Sequence, residues 1–180
     1  YNDWGGPSLY TGGTHVSFER PFAKGFLVKP EPMGRMMQSE PDREAMGFRS
    51  WARPRGLSDW CGGAGWFTYE RTFTRWAEAN GYRLDVAASQ DLERHPGILD
   101  GSRLFLSVGH DEYWSWGMRD ALDGFVERGG NAAILSGNTC FWQIRFDDDH
   151  AGMTGYKYRA GEDPVLGTGQ ERFLTGCWSD

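Results

Sequence analysis

The sequence predicts an α/β domain: a mostly parallel sheet flanked by helices, three-layered in the Rossmann or flavodoxin manner, with a long irregular N-terminal loop region. Three observations point there. Two short apolar runs, 103–108 and 131–136, are bounded by polar or glycine-rich turns, as strands are. Between them Met118, Ala121, Leu122, Phe125 and Val126 recur three and four apart, the spacing of a helix face. Strand, helix and strand joined by short connections imply a crossover and parallel pairing.

The elements follow in chain order. Trp66, Tyr69, Phe73, Trp76 and Ala77 mark one face of a helix that Asn80-Gly81 closes. Residues 83–88 read as a short strand, and the polar Ser89-Gln90-Asp91 leads into a brief helical piece that must finish by Pro96. The run 103–108 is nearly continuous in apolar residues and is expected to be buried on both faces. Ser115 suits the N-cap of the next helix, and Gly129-Gly130 stop it. The stretch 30–65 is rich in Pro, Gly, Arg, Met and Trp without a steady period, and reads as a lid or wall over a site.

Composition narrows the function classes. The 180 residues suffice for one domain with a substantial core, so a single catalytic domain over 1–180 is expected, cropped from a longer chain. With 19 basic against 25 acidic residues the net charge is −6 and no Lys/Arg tract could neutralise a run of phosphates, so nucleic acid is not an expected partner. No apolar run approaches the roughly 20 residues needed to cross a bilayer, so the chain reads as soluble and without a membrane partner. Cys61, Cys140 and Cys177 offer neither a disulfide framework nor a metal knuckle; they leave the compartment open, with the cytoplasm favoured.

Chemistry concentrates in RLFLSVGHDEYWS, residues 103–115, where an apolar strand ends and His110, Asp111 and Glu112 follow. Open α/β sheets bind ligands at such strand ends. The run 131–136 ends alike, in Gly137-Asn138-Thr139-Cys140. Asp111 and Glu112 are placed to serve simply as charge partners of the following helix. His110 and Glu112 can instead present a proton-transfer group and a metal ligand to one small volume, and spacing does not choose between these readings. The opening YNDWGGPSLY frames a Gly-Pro turn with two tyrosines, either an aromatic-braced loop or a source of phenolate oxygen.

Taken in order, YNDWGGPSLY, VSFERPF, WAEANGYRLDV, DLERHPGIL, GHDEYWS and GFVERGGNAAILSGNTCFW resemble the catalytic domain of the large subunit of N,N-dimethylformamidase and its relatives, over about residues 1–145. GHDEYWS and GGNAAILSGN carry the resemblance most sharply. It implies a mononuclear ferric iron held by two tyrosines and a glutamate, hydrolysis of a small formamide, and a small accessory subunit and a second copy of the chain as partners. Carried over by position, the glutamate ligand is Glu112, the tyrosine ligands are Tyr1 and Tyr10, and His110 is the histidine that handles protons beside the metal. Three hard anionic oxygens suit a ferric ion and leave positions open for water and substrate. Asn138, at the neighbouring strand end, is a candidate donor to the developing oxyanion.

Two rival readings stand beside this one. Cys140 follows a strand and a Gly-Asn turn, so it could act as a thiolate nucleophile with His110 or His150 as base, although no Gly-x-Cys-x-Gly elbow is present. Alternatively the aromatic loops hold a carbohydrate or a partner in a non-catalytic binding module. Asp147-Asp148-Asp149-His150 reads as a solvated loop, His15 and His95 as structural, and Trp114 and Trp116 as packing residues.

Overall fold

The computed structural model describes residues 8–10, 12–19, 54 and 66–179. Apart from residue 54, the expected lid over 30–65 lies outside these, as do Tyr1 and Cys61. The chain forms two compact units, one comprising Tyr1–Ser8 and Arg20–Leu84 and the other Leu9–Glu19 and Asp85–Asp180.

In the first unit the described part is a π-helical turn, Trp66–Glu70, that runs into α1, Arg71–Ala79. Thr74 Oγ1 donates to Glu70 O at 2.8 Å across this junction. The helix ends as its sequence predicts, with Asn80 as cap and Gly81 at a φ of +83°, a left-handed conformation that glycine adopts without strain. Asn80 Nδ2 donates back to Trp76 O at 2.8 Å.

The second unit holds every strand among the described residues. They are β1 (His15–Ser17), β2 (Leu104–His110), β3 (Tyr113–Trp114), β4 (Asn131–Gly137), β5 (Trp142–Gln143), β6 (Arg145–Phe146) and β7 (Gly152–Thr154). Two helices join them, α2 (Asp91–Arg94) and α3 (Trp116–Glu127). Parallel pairing of β2 with β4 in register Leu104↔Asn131 to His110↔Gly137 is as predicted. So is α3: Ser115 Oγ accepts from Met118 N, a cap worth about 1 kcal/mol, and Gly129 ends the helix at φ +92°.

The three-layer expectation fails. In place of one flanked parallel sheet there are, among the described residues, three small ones: parallel β2–β4, parallel β3–β5 and antiparallel β1–β7–β6. Residues 83–88 form no strand, and Val86 stands 66% exposed. In β2 only Ser107 is buried, so the run 103–108 is not the strand covered on both faces that it suggested, and Ile134 and Leu135, on opposite faces of β4, are both exposed. Beyond β5 the chain turns at glycines and Pro164 too often to sustain another long helix. It builds short antiparallel strands and 3-10 turns, Lys157–Glu162 and Glu171–Phe173.

The β2–β4 and β3–β5 ladders join the same two chain segments, interrupted once. Two residues, Asp111 and Glu112, separate β2 from β3, while four, Asn138 to Phe141, separate β4 from β5. The longer side is tied across: Asp111 N donates to Gly137 O, Cys140 N to Asp111 O, and Phe141 N and Trp142 N both to Glu112 O at 3.2 and 2.8 Å. Beneath lies the core, where Leu92, Trp114 and Met118 are buried against Ile98, Leu99, Phe105, Ala121, Leu122, Phe146 and Trp178.

One buried ion pair fastens the C-terminal segment to this frame. Arg145 reaches Asp163 with two parallel hydrogen bonds, at 2.8 and 2.9 Å, and the Asp163 side chain is fully buried. Asp163 also accepts from Thr175 N at 3.0 Å, Thr175 Oγ1 at 2.8 Å and Val165 N at 3.2 Å. Burial alone would raise the pKa of this carboxyl, but the hydrogen bonds from Arg145, Thr175 and Val165 hold it at about 2. A carboxyl depressed in the folded state stabilises above its unfolded pKa and loses that contribution as pH falls through the folded value. Asp163 is therefore expected to contribute about 2 kcal/mol at neutral pH, lost between about pH 4 and pH 2. Urea unfolding across that range checks it: Asp163→Asn should be less stable than wild type at pH 6, and the gap should close near pH 2.

Candidate active site

Glu112 is the hub. Held by its backbone in the ladder interruption, it turns its carboxylate, 10% exposed, toward three side chains from distant parts of the chain and toward His110, two residues before it. Oε1 accepts the Tyr10 phenol proton and the Trp142 indole Nε1–H, the latter at 2.7 Å. Lys157 Nζ is 4.0 Å from the same oxygen, and His110 Nδ1 is 3.8 Å from Oε2. The Lys157 ammonium donates to Tyr113 Oη at 2.6 Å and lies 3.1 Å from the centre of the Tyr10 ring, with the Tyr113 and Trp142 rings at 4.7 and 5.2 Å. A cation desolvated on this scale is offset by facing aromatic rings and a carboxylate.

Local structure explains each placement. Tyr10 comes just before β1, and Trp142 opens β5 directly after the four-residue turn. Lys157 starts a 3-10 turn at φ +54°, its N–H donating to Thr175 O at 2.8 Å, so the Asp163–Thr175 anchor also sets the lysine backbone. Burial pushes the Tyr10 phenol up to about 12, and the bond to Glu112 adds to the rise. Burial brings Lys157 down to about 8 against the opposing pull of Glu112. The result is a carboxylate with a phenol and an indole N–H on one oxygen, an ammonium with a lowered pKa beside them, and a half-exposed imidazole on the other side.

Tyr10, His110 and Glu112, expected from the sequence, therefore come together. Asn138 stands one residue beyond Gly137, the register partner of His110, in the turn at the neighbouring strand end. Tyr1 lies outside the described residues. Among the described residues no group of three His, Cys, Asp or Glu side chains could hold a metal ion, so a tyrosine and glutamate oxygen set is the one to weigh. Lys157 and Trp142 were not anticipated; the flanking tyrosines of GYKYR were the one local sign of an aromatic setting for the lysine. Trp114 is core, and Trp116 packs edge-on against Trp178, as expected of packing residues. His15 pairs with Asp147 at 2.9 Å, which ties the acidic 147–150 loop to β1.

The N,N-dimethylformamidase beta subunit-like, C-terminal family matches the chain over residues 1–180. The chain belongs to this family. It is 31% identical over 70 residues to the N,N-dimethylformamidase beta subunit of Alcaligenes sp. and 32% identical over 70 residues to that of Paracoccus aminophilus. Each alignment takes in 38% of this chain and 9% of the relative, so the shared stretch spans less than a tenth of the dimethylformamidase subunits.

The cysteine reading finds no support at this site. Burial pushes the Cys140 thiol up to about 11, with Asp111 and Asp123 adding to the rise against Arg119. Its turn leads into strand β5, so there is no helix N-terminus to stabilise a thiolate. At pH 8 Cys140 is expected to react with iodoacetamide on the order of 100-fold more slowly than a thiol of ordinary pKa, from its thiolate fraction. Mass-resolved alkylation of the folded protein measures this, and rapid labelling at Cys140 would restore the nucleophile reading.

Proposed function

We propose that this chain forms the catalytic part of an amide hydrolase that cleaves the C–N bond of a small amide such as a substituted formamide. The observation that supports it most directly is the meeting of the Tyr10 phenol and the Glu112 carboxylate across one shared proton, beside His110 and Lys157. Family membership supports the same reaction, since the named relatives are N,N-dimethylformamidase subunits. By that likeness the partners are a small accessory subunit and further copies of the chain.

The donor set fits a ferric ion: two hard oxygens already face each other, and a cation in place of the phenol proton would favour the phenolate that burial and Glu112 otherwise disfavour. Tyr10 and Glu112 would hold such an ion, which when bound polarises an amide oxygen and lowers the pKa of a bound water. The residues of the chain do the rest. Trp142 holds Glu112 at one oxygen by its indole N–H and so fixes the carboxylate plane. His110, whose side chain is 46% exposed, is open to substrate and water; it takes a proton from the attacking water and returns it to the departing amine. Lys157 balances the charge of Glu112 from within the aromatic box. Asn138 offers an amide N–H to the developing oxyanion.

Full-length protein is expected to carry near one iron per chain and to show a phenolate-to-iron charge-transfer band in the visible. Glu112→Ala should lose metal and colour together. His110→Ala should keep both while kcat on N,N-dimethylformamide falls by about 100-fold or more, the usual size of a lost proton-transfer group. Colourless wild-type protein that cannot be reconstituted with iron, or full turnover in His110→Ala, would overturn the assignment.

A further inference from the structure

Asp111 lies between His110 and Glu112, yet its carboxylate leaves the site. Ser107 Oγ on β2 donates to Asp111 Oδ2 at 2.5 Å, Ser107 Oγ and Ser136 Oγ on β4 are 2.7 Å apart, and Ser136 Oγ and Thr139 Oγ1 are 2.5 Å apart. A hydroxyl has one proton, and a carboxylate only accepts. Ser107 therefore directs its proton to Asp111 and Ser136 must direct its own to Ser107, while Thr139 turns its proton to Ser136, whose Oγ and, at 3.2 Å, carbonyl O both stand as acceptors. The order of the chain is set from the Asp111 end.

The other end is a turn that needs holding. Thr139 sits between Asn138 at φ +51° and Cys140 at φ +53°, two non-glycine residues in the left-handed region. Asp111 also holds this turn by its backbone, N–H to Gly137 O at 3.1 Å and O from Cys140 N at 3.0 Å. It thus grips the turn at its start, through the hydroxyls at its middle, and at its close. Phe141 and Trp142 come next, and Trp142 is the residue whose indole fixes Glu112.

We propose that Asp111 is a positioning residue, which orders the Ser107–Ser136–Thr139 hydroxyl chain and through it holds the turn that presents Asn138 and delivers Trp142 to Glu112. Its catalytic consequence rests on the amide-hydrolase reading; the positioning itself does not. The test uses full-length protein labelled with fluorotryptophan, the position-142 fluorine resonance being assigned by its loss in Trp142→Phe, together with kcat and KM on N,N-dimethylformamide.

Asp111→Asn keeps an oxygen acceptor for Ser107, so the position-142 resonance should stay and kcat should remain within about threefold. Asp111→Ala and Thr139→Val should each move that resonance and lower kcat by about tenfold with KM within about twofold, because they misplace groups without removing a substrate contact. The double variant Asp111→Ala/Thr139→Val should be no worse than Asp111→Ala alone, since both break one chain. An unmoved resonance in Asp111→Ala, or fully additive losses in the double variant, overturns the proposal. Should Asp111→Ala fail to fold, Thr139→Val decides alone: an unmoved resonance overturns the chain and a moved one supports it. Wild-type protein without amide hydrolysis would sink the proposed function, while the resonances still decide the role of Asp111.

Discussion

The site depends on one interruption in one parallel ladder. Parallel strands hydrogen-bond evenly only while equal numbers of residues run on both sides. Here two residues face four. The surplus has to fold outward, and it does so by putting Asn138 and Cys140 into left-handed conformations that cost non-glycine residues of order 1 kcal/mol or more each. The compensation is local. Four backbone N–H groups that a regular ladder would have used elsewhere are taken by Gly137, Asp111 and Glu112 carbonyls, with Glu112 O accepting two of them. Glu112 is thereby held by its own main chain before any side-chain contact is counted. Pairing resumes at once in β3 and β5, so the distortion is confined to the stretch around Asp111 and Glu112.

A second constraint brings the cation. Lys157 is 4% exposed, and an ammonium so placed requires a counter-charge or aromatic faces nearby. Both are present, but only because residues 157–175 return to β5 and β6. Asp163 organises that return: Arg145 holds it from β6, Thr175 donates to it twice, and Thr175 O in turn takes the Lys157 N–H. The carboxylate at position 163 and the carboxylate at position 112 thus serve opposite ends of the same lysine, one fixing its backbone and one facing its charge. In such a desolvated setting fixed dipoles and charges act more strongly than in water.

Legibility from sequence followed the range of the forces involved. Helix α3 was readable in full because its cap, its apolar face and its stop are all local: Ser115, the Met118 to Val126 stripe, and Gly129. Strands β2 and β4 were readable as apolar runs, and His110 and Glu112 as the polar end of one of them. Tyr10 was found through the family likeness of the opening segment, since nothing in its spacing points to a residue 102 positions away. The layer architecture was misread because one strand–helix–strand unit was extended to the whole chain. Residues 83–88 find no partner strand, and the segment after β5 changes to antiparallel pairing, outcomes set by tertiary packing rather than by local propensity. Lys157 escaped notice for the same reason, being a single lysine whose role exists only once Asp163 has folded the tail back.

The pleat explains how three adjacent ionisable residues can do three separate jobs. In extended backbone alternate side chains point to opposite faces, so His110 and Glu112 share one face and Asp111 takes the other. The contacts agree: His110 Nδ1 and Glu112 Oε2 come within 3.8 Å, while the Asp111 carboxylate is bonded to Ser107 beneath. A helix at the same positions would have fanned the three around its axis, and a flexible loop would have let Asp111 and Glu112 compete for the same donors. That alternation, carried on past the end of β2, keeps the two adjacent carboxylates from sharing a proton or a cation. That separation lets Glu112 answer to phenol, indole, ammonium and imidazole, and it gives the carboxylate next to it to the scaffold.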